Sequence, residues 1–177
     1  MLKRFIFIFL ILAACTPVAQ PMPESDFQLT SPSFADGEVI PVRYAYSKGN
    51  QCSGDNISPP LAWTRVPSST RAFALTVIDP DGNNWVHWLV FNIPGDTASF
   101  PESESGTYPG IQGTNSFGQP GWGGPCPPSG THHYIFSLYA LDAELQLSEG
   151  TSLKELQSAI EGHVLAQATL TGLYSAP

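Results

Sequence analysis

Polar residues with chemical capacity gather at three places along this chain, each beside a run of apolar residues. Asp79-Pro80-Asp81 closes one run and Trp85-Val86-His87-Trp88 opens the next. Gly124-Pro125-Cys126-Pro127-Pro128 then leads to His132-His133-Tyr134, which opens a third. Imidazoles, a phenol and the backbone N–H groups of a glycine-rich turn are donors suited to phosphate or carboxylate oxygens. An aspartate beside a histidine would fix the imidazole tautomer and favour its charged form, helping it to face an anion. Each group also has an ordinary structural reading. Asp79 and Asp81 in Asp-Pro-Asp-Gly-Asn-Asn suit a turn built on Asx hydrogen bonds. His87, alternating within a strand, could be a satisfied core histidine, and Tyr134 and the tryptophans could be core residues. With a side-chain period of two, His133 faces away from His132 and Tyr134 and is the bystander.

Signatures of catalysis are lacking. The chain has no G-x-S-x-G elbow and no H-E-x-x-H pattern. Asp-Pro-Asp-Gly-Asn-Asn differs from a calcium loop, because its glycine is fourth rather than sixth and no glutamate stands at the twelfth position. Two histidines, an aspartate and a cysteine could ligate zinc, but their wide spacing does not argue for it. No metal and no cofactor are expected. Hydrolysis, with His87 or His132 as general base on a water, is the weakest of the functional readings.

Strands must carry these groups. Arg71–Ile78, Val86–Ile93 and His133–Leu141 are apolar at nearly every position and rich in β-branched and aromatic residues. That pattern predicts strands covered on both sides or lying in a sandwich core. Glu38–Tyr46 predicts an edge or bulged strand because of Pro41, and Ala168–Tyr174 a last strand. One helix is predicted from the capping box Ser152-Leu-Lys-Glu155, with Leu153, Leu156, Ile160 and Val164 at helical spacing. Pro101–Thr131 holds eight glycines between Gly106 and Gly130 and lacks apolar periodicity, so it reads as a long functional loop. Sixteen glycines, seventeen prolines and only 12% charged residues fit a loop-rich, mainly β domain.

The first 14 residues begin with Lys3 and Arg4, continue as an apolar run and end Leu12-Ala13-Ala14 before Cys15. This is a signal peptide too short to span a bilayer, and its ending resembles a bacterial lipobox that makes Cys15 the lipidated N-terminus. A cleaved, unlipidated secreted protein is the alternative. Thr16 in place of an acidic residue favours the outer over the inner membrane. Residues 15–25 form the lipidated cysteine and a Pro-rich tether, and residues 26–177 a single domain. Loss of the signal leaves five basic against fifteen acidic side chains, a net charge of −10. Such a surface repels nucleic acid, which is excluded as a partner, so the membrane is reached through acyl chains. Cys52 and Cys126 then remain as an even pair in an oxidising compartment, either joined as a disulfide or free as thiols near a ligand site.

Taken in order, these stretches resemble the phosphatidylethanolamine-binding protein family, in its bacterial Raf kinase inhibitor-like branch. The matching pieces are Cys52-Ser-Gly-Asp-Asn-Ile-Ser-Pro-Pro-Leu-Ala-Trp63, Asp79-Pro80-Asp81, Trp85-Val86-His87-Trp88, Gly121-Trp-Gly-Gly-Pro-Cys-Pro-Pro128, His132-His133-Tyr134, Leu138-Tyr-Ala-Leu-Asp142 and Gly162-His163-Val-Leu-Ala166. The resemblance implies a Greek-key β-sandwich with a few short peripheral helices. It also implies a non-catalytic pocket for a small anion or a phospholipid headgroup, lined by Asp79, Asp81, Trp85, His87, Cys126, His132 and Tyr134. The backbone N–H of Cys126 is expected to contribute there. Two departures bear on the ligand's identity: Gly82-Asn83 replaces the usual Ala-Pro after the acidic turn, and His133 replaces an arginine. Inhibition of a protease or kinase through protein contacts is the alternative function, its protein partner unidentified.

Overall fold

A computed structural model describes residues 26–47, 49, 52–103 and 108–176. The expected signal peptide, Cys15 and the tether lie outside the described residues. In chain order the elements are β1 (Gln28–Thr30), β2 (Glu38–Val39), β3 (Leu61–Thr64), β4 (Ala72–Asp79) and β5 (Trp85–Pro94). β6 (Ser99–Phe100), β7 (Ile111–Gln112), β8 (Thr131–Leu141), α1 (Leu153–Ile160) and β9 (Val164–Ser175) follow. A six-stranded sheet in the order β2-β9-β8-β4-β5-β7 faces a three-stranded sheet, β1-β3-β6. Within the larger sheet β4, β5 and β7 pair antiparallel in succession and β8 returns to the free side of β4. That order is a Greek key, as the resemblance implied.

The continuous apolar runs have a direct cause. Phe73, Leu75 and Val77 of β4, with Phe136, Leu138 and Ala140 of β8, face the small sheet, where Leu29, Leu61 and Trp63 complete the core. Ala74 of β4 and Leu89 and Phe91 of β5 face the other way, under Leu156 and Ile160 of α1. A strand covered on both faces leaves few positions for polar residues, here the small Thr76 and Ser137. Each large side chain so buried contributes roughly 1.5–3 kcal/mol. The Ser152–Glu155 capping box forms as predicted, with the Ser152 N–H donating to Glu155 Oε2 at 2.8 Å.

Three expectations on element limits are corrected. Glu38–Tyr46 pairs only over Glu38–Val39, parallel to Gly172–Leu173 of β9. Pro41, which has no N–H for a ladder, caps a 3-10 turn over Val42–Tyr44 instead. The helix stops at Ile160, because Gly162 adopts a left-handed conformation (φ 79°) and the His163 N–H bonds back to the Ile160 carbonyl at 3.0 Å. Val164, expected on the helix, therefore starts β9.

The described part of the long loop is tied down rather than free. Gly113, Ser116 and Gly123 donate N–H groups to the Leu89, Val86 and His87 carbonyls along the edge of β5. Cys52 and Cys126, 74 residues apart in sequence, are joined by a disulfide with Cα atoms 5.9 Å apart. Closing a loop of that length contributes about 2–4 kcal/mol, chiefly by restricting the unfolded chain. Urea unfolding of a Cys52→Ser/Cys126→Ser double variant is expected to show a loss of about that size. An unchanged midpoint would remove the disulfide from the list of stabilising features.

Candidate functional site

The site grows out of the core rows at one end of the sandwich. Along β4 the inward row Phe73, Leu75, Val77 has Asp79 as its next member, and along β8 the row Ala140, Leu138, Phe136 leads to Tyr134 and His132. β4 and β8 are adjacent, with Ile78 opposite Ile135, so the two polar ends meet. Asp79 Oδ2 lies 2.6 Å from His132 Nδ1, with the side chains 5% and 13% exposed. Asp79 Oδ1 accepts the Gly82 N–H at 2.9 Å. Asp79 is thus both the turn former and the histidine partner that the two sequence readings set against each other. Gly82 has a steric reason to be glycine, since a Cβ there would sit 2.7 Å from Asp79 Oδ2.

His87 does not simply alternate. Val77 pairs with Trp88 and Ile78 with Val86, so His87 is the extra residue of a β-bulge. A bulge re-aims side chains. His87 and Trp88 both reach Trp122, at 6.4 and 5.8 Å between ring centroids, while Val86 and Leu89 belong to the opposite core. The His87 ring is buried, stands edge-on to Tyr134 at 4.9 Å, and donates from Nδ1 to the Gly123 carbonyl. Burial pushes its pKa below the ordinary 6.5, against the opposing pull of Gly123 and the negative Asp79. Tyr134 is fully buried, and its hydroxyl has no hydrogen-bond partner. Burial, with the nearby Asp79 charge, pushes that phenol well above its usual pKa, while the Cys126 amide draws it the other way without reaching bonding geometry.

These residues line one cavity of about 540 Å³, within the usual range for a small-molecule site. Asp79, His87, His132 and Tyr134 are brought together, and Cys126, Asp81 and Trp85, the other residues expected at the pocket, line it as well. His133 does not line it. Its backbone N–H and its Nδ1 both donate to Asp81 Oδ2 at 2.8 Å, which keeps that carboxyl below its ordinary pKa and holds it in place. The glycine amides expected as ligand donors are engaged in the fold: Gly123 N–H bonds the His87 carbonyl and Gly124 N–H bonds Asn56 Oδ1. Pro125, Pro127 and Pro128 have no N–H, which leaves the Cys126 amide in that stretch.

Sequence reasoning missed Tyr46 and Phe117, which also line the cavity and stack on each other at 4.6 Å. A signal for Phe117 existed, as one of three aromatics, with Tyr108 and Trp122, inside a glycine-rich loop. Buried Asn115 pins it, its Oδ1 accepting the Phe117 and Gln119 N–H groups. A Cβ at Gly123 would lie 2.5 Å from the Phe117 ring. Tyr46 arrives from a distant turn and carries no local mark. Among the described residues no lysine or arginine lines the cavity, and no three potential metal ligands converge.

A family model described as phosphatidylethanolamine-binding protein matches residues 30–175. The chain belongs to the phosphatidylethanolamine-binding protein family. It is similar to a UPF0098 protein of Methanothermobacter thermautotrophicus, 45% identical over 152 residues that cover 82% of this chain and 97% of the relative. Two solved structures are similar as well. The Chlamydia trachomatis homologue CT736 superposes with a TM-score of 0.78 at 36% identity, covering 86% of this chain and 99% of its own. Escherichia coli YbcL superposes with a TM-score of 0.77 at 35% identity, covering 84% and 98%. These relatives place the chain in the family's bacterial branch.

The depressed pKa of His87 has a consequence for this family member's stability. The unfolded chain binds a proton at His87 near pH 6.5 and the folded one only below that, so stability contributed by the neutral ring is complete above that pH and falls as pH drops toward the folded pKa. The slope for one proton reaches at most about 1.4 kcal/mol per pH unit. Chemical unfolding of ligand-free protein between about pH 7.5 and 5 should show a steeper loss for the native chain than for His87→Gln. Parallel curves would contradict the buried neutral imidazole.

Proposed function

We propose that this protein is a non-catalytic receptor for a small oxyanion, a phosphoryl or carboxyl group such as a phospholipid headgroup presents, held in the Asp79–His132 cavity. The observation that carries the reading is the Tyr134 hydroxyl. A buried polar group without a partner costs about 1–3 kcal/mol, and Tyr134 is one of the residues lining the cavity, so a ligand oxygen that reached its hydroxyl would satisfy it. The Cys126 amide and the two imidazoles supply further polar contacts on the same walls. Binding without turnover is supported by the partners of the imidazoles. Among the described residues, neither His87 nor His132 is hydrogen-bonded to a hydroxyl or thiol, and the neighbouring Cys126 is held in a disulfide.

Tyr134→Phe separates ligand contact from folding. With nothing bonded to the hydroxyl, its removal should leave stability within about 1 kcal/mol of the native protein. Its bond to a charged ligand oxygen is worth roughly 1.5–3 kcal/mol, so affinity should fall about tenfold or more. Calorimetry with inorganic phosphate and with phosphorylethanolamine reads this out, alongside His132→Asn. Native affinity in both variants would refute the site.

The receptor domain is proposed to be held at the bacterial envelope by lipid on Cys15, with the tether of residues 15–25 between bilayer and domain. The basic start, apolar run and Leu-Ala-Ala-Cys ending support this. Cells given labelled palmitate should incorporate it into the native chain and not into Cys15→Ser; labelling of both would place the lipid elsewhere.

A further inference from the structure

We propose that the cavity takes up its oxyanion together with a proton, and so selects phosphate monoesters and carboxylic acids over sulfate esters. The inference rests on the cavity being the oxyanion site and goes on to name the class of anion that fits it.

The argument is an inventory of donors and acceptors. Asp79 and Asp81 bring carboxylates to the lining, and no lysine or arginine offsets them among the described residues. Both imidazoles present the same nitrogen. His132 Nδ1 faces the Asp79 carboxylate and His87 Nδ1 faces the Gly123 carbonyl. Each partner only accepts, so each Nδ1 carries the hydrogen and Nε2 is the atom left for a ligand. In a neutral ring that atom is a lone pair. A bare anion would therefore bring its own lone pairs against two more and against a carboxylate. Tyr134 O–H and the Cys126 amide are neutral donors and too few to surround it.

One proton changes the balance. On the ligand, it makes an O–H that donates to Nε2. On an imidazole it would make a cation, a placement that burial opposes at His87. Carried on the ligand, it turns an acceptor–acceptor clash into a charge-assisted hydrogen bond. Asp79 is the charged group that both rings face. His87 on β5 is faced by Asp79 from β4 and by His132 and Tyr134 from β8. His132 meets Asp79 directly, lies beside Asp81 and pairs across the strands with Tyr174 of β9. Asp79 and Asp81, the two acids, stabilise a proton taken up with the anion. A phosphate monoester with its second pKa near about 6 can bring that proton itself, whereas a carboxylate, with a pKa near about 4, must take it up from solution. A sulfate ester stays bare throughout this range.

Calorimetry of the native protein with methyl phosphate and methyl sulfate, at about pH 6, 7 and 8, tests the inference. Repeating it in two buffers of different ionisation enthalpy counts the protons taken up. Methyl phosphate affinity should fall by up to about tenfold per pH unit above pH 7. About one proton should enter from the buffer at pH 8, and methyl sulfate should bind at least about tenfold more weakly than methyl phosphate at pH 7. Methyl phosphate binding that is flat with pH and takes up no proton, or equal binding of the two esters, would overturn the inference and leave the oxyanion receptor standing. Failure of both esters at every pH would overturn the receptor reading and this inference with it.

Discussion

The arrangement depends on one buried acid. Asp79 ends the central strand of the larger sheet with its carboxylate almost wholly removed from water. Taking a carboxylate into a protein interior costs several kcal/mol unless its oxygens are paired. Both of them are. Oδ1 closes the turn through Gly82, and Oδ2 takes the Nδ1 hydrogen of His132. The first bond sets the geometry of the turn between β4 and β5. The second joins that turn to the end of β8 and fixes which nitrogen of His132 faces the cavity. Removing one partner of such a pair typically costs about 3–5 kcal/mol, because the other is left uncompensated. Register, turn and tautomer are therefore held by the same carboxylate.

Around that pair the walls are rigid for separate reasons. The bulge at His87 interrupts the ladder of β5, and the glycine-rich loop takes over the freed backbone groups, Gly123 N–H bonding the His87 carbonyl while the imidazole bonds the Gly123 carbonyl. At Gly124 a Cβ would lie 2.3 Å from the Tyr44 carbonyl oxygen, so only glycine lets the loop pack this closely. The disulfide then fastens the next turn of the loop to the segment before β3. A loop without secondary structure of its own is thus made into a wall by the strand it lies against. This explains how a site largely built from loop residues can hold a buried hydroxyl in place.

How much of this was legible depended on whether the signal was local. β4, β5 and β8 could be read because burial on both faces leaves an unbroken apolar run, and the helix start because Ser152 and Glu155 satisfy each other's backbone within one turn. Asp79, His87, His132 and Tyr134 stood out as polar residues attached to such runs, and the family resemblance ordered them into one pocket. Features that depend on distant partners were not legible. The parallel pairing of Glu38–Val39 depends on β9, more than 120 residues later, and Pro41 alone could not distinguish a bulge from a turn. The His87 bulge comes from a one-residue mismatch between two strands, which neither strand shows alone. Tyr46 is placed in the lining by distant partners, its ring stacked on Phe117 and its N–H bonded to the Pro125 carbonyl. The direction of the glycine amides likewise depended on tertiary partners, His87 and Asn56, and composition alone suggested the opposite use.

At the cavity the chain's own groups leave the Tyr134 hydroxyl unpartnered, and this is informative because the surrounding polar groups are paired. An unbonded Tyr134 hydroxyl lowers stability, and the buried His87 imidazole does so below about pH 6.5, where the unfolded chain takes up the proton that the folded ring resists. Neither is required by the sandwich core, which phenylalanine or leucine at those positions would extend without penalty from polar groups. An occupant that accepts from Tyr134 and supplies or shares a proton with an imidazole removes both penalties together. Its binding energy then appears as folding energy, growing with ligand concentration by the usual linkage. The polar end of the core is thus best understood as half of an interface. On the receptor reading proposed above, the other half is a small molecule able to both give and receive hydrogen bonds.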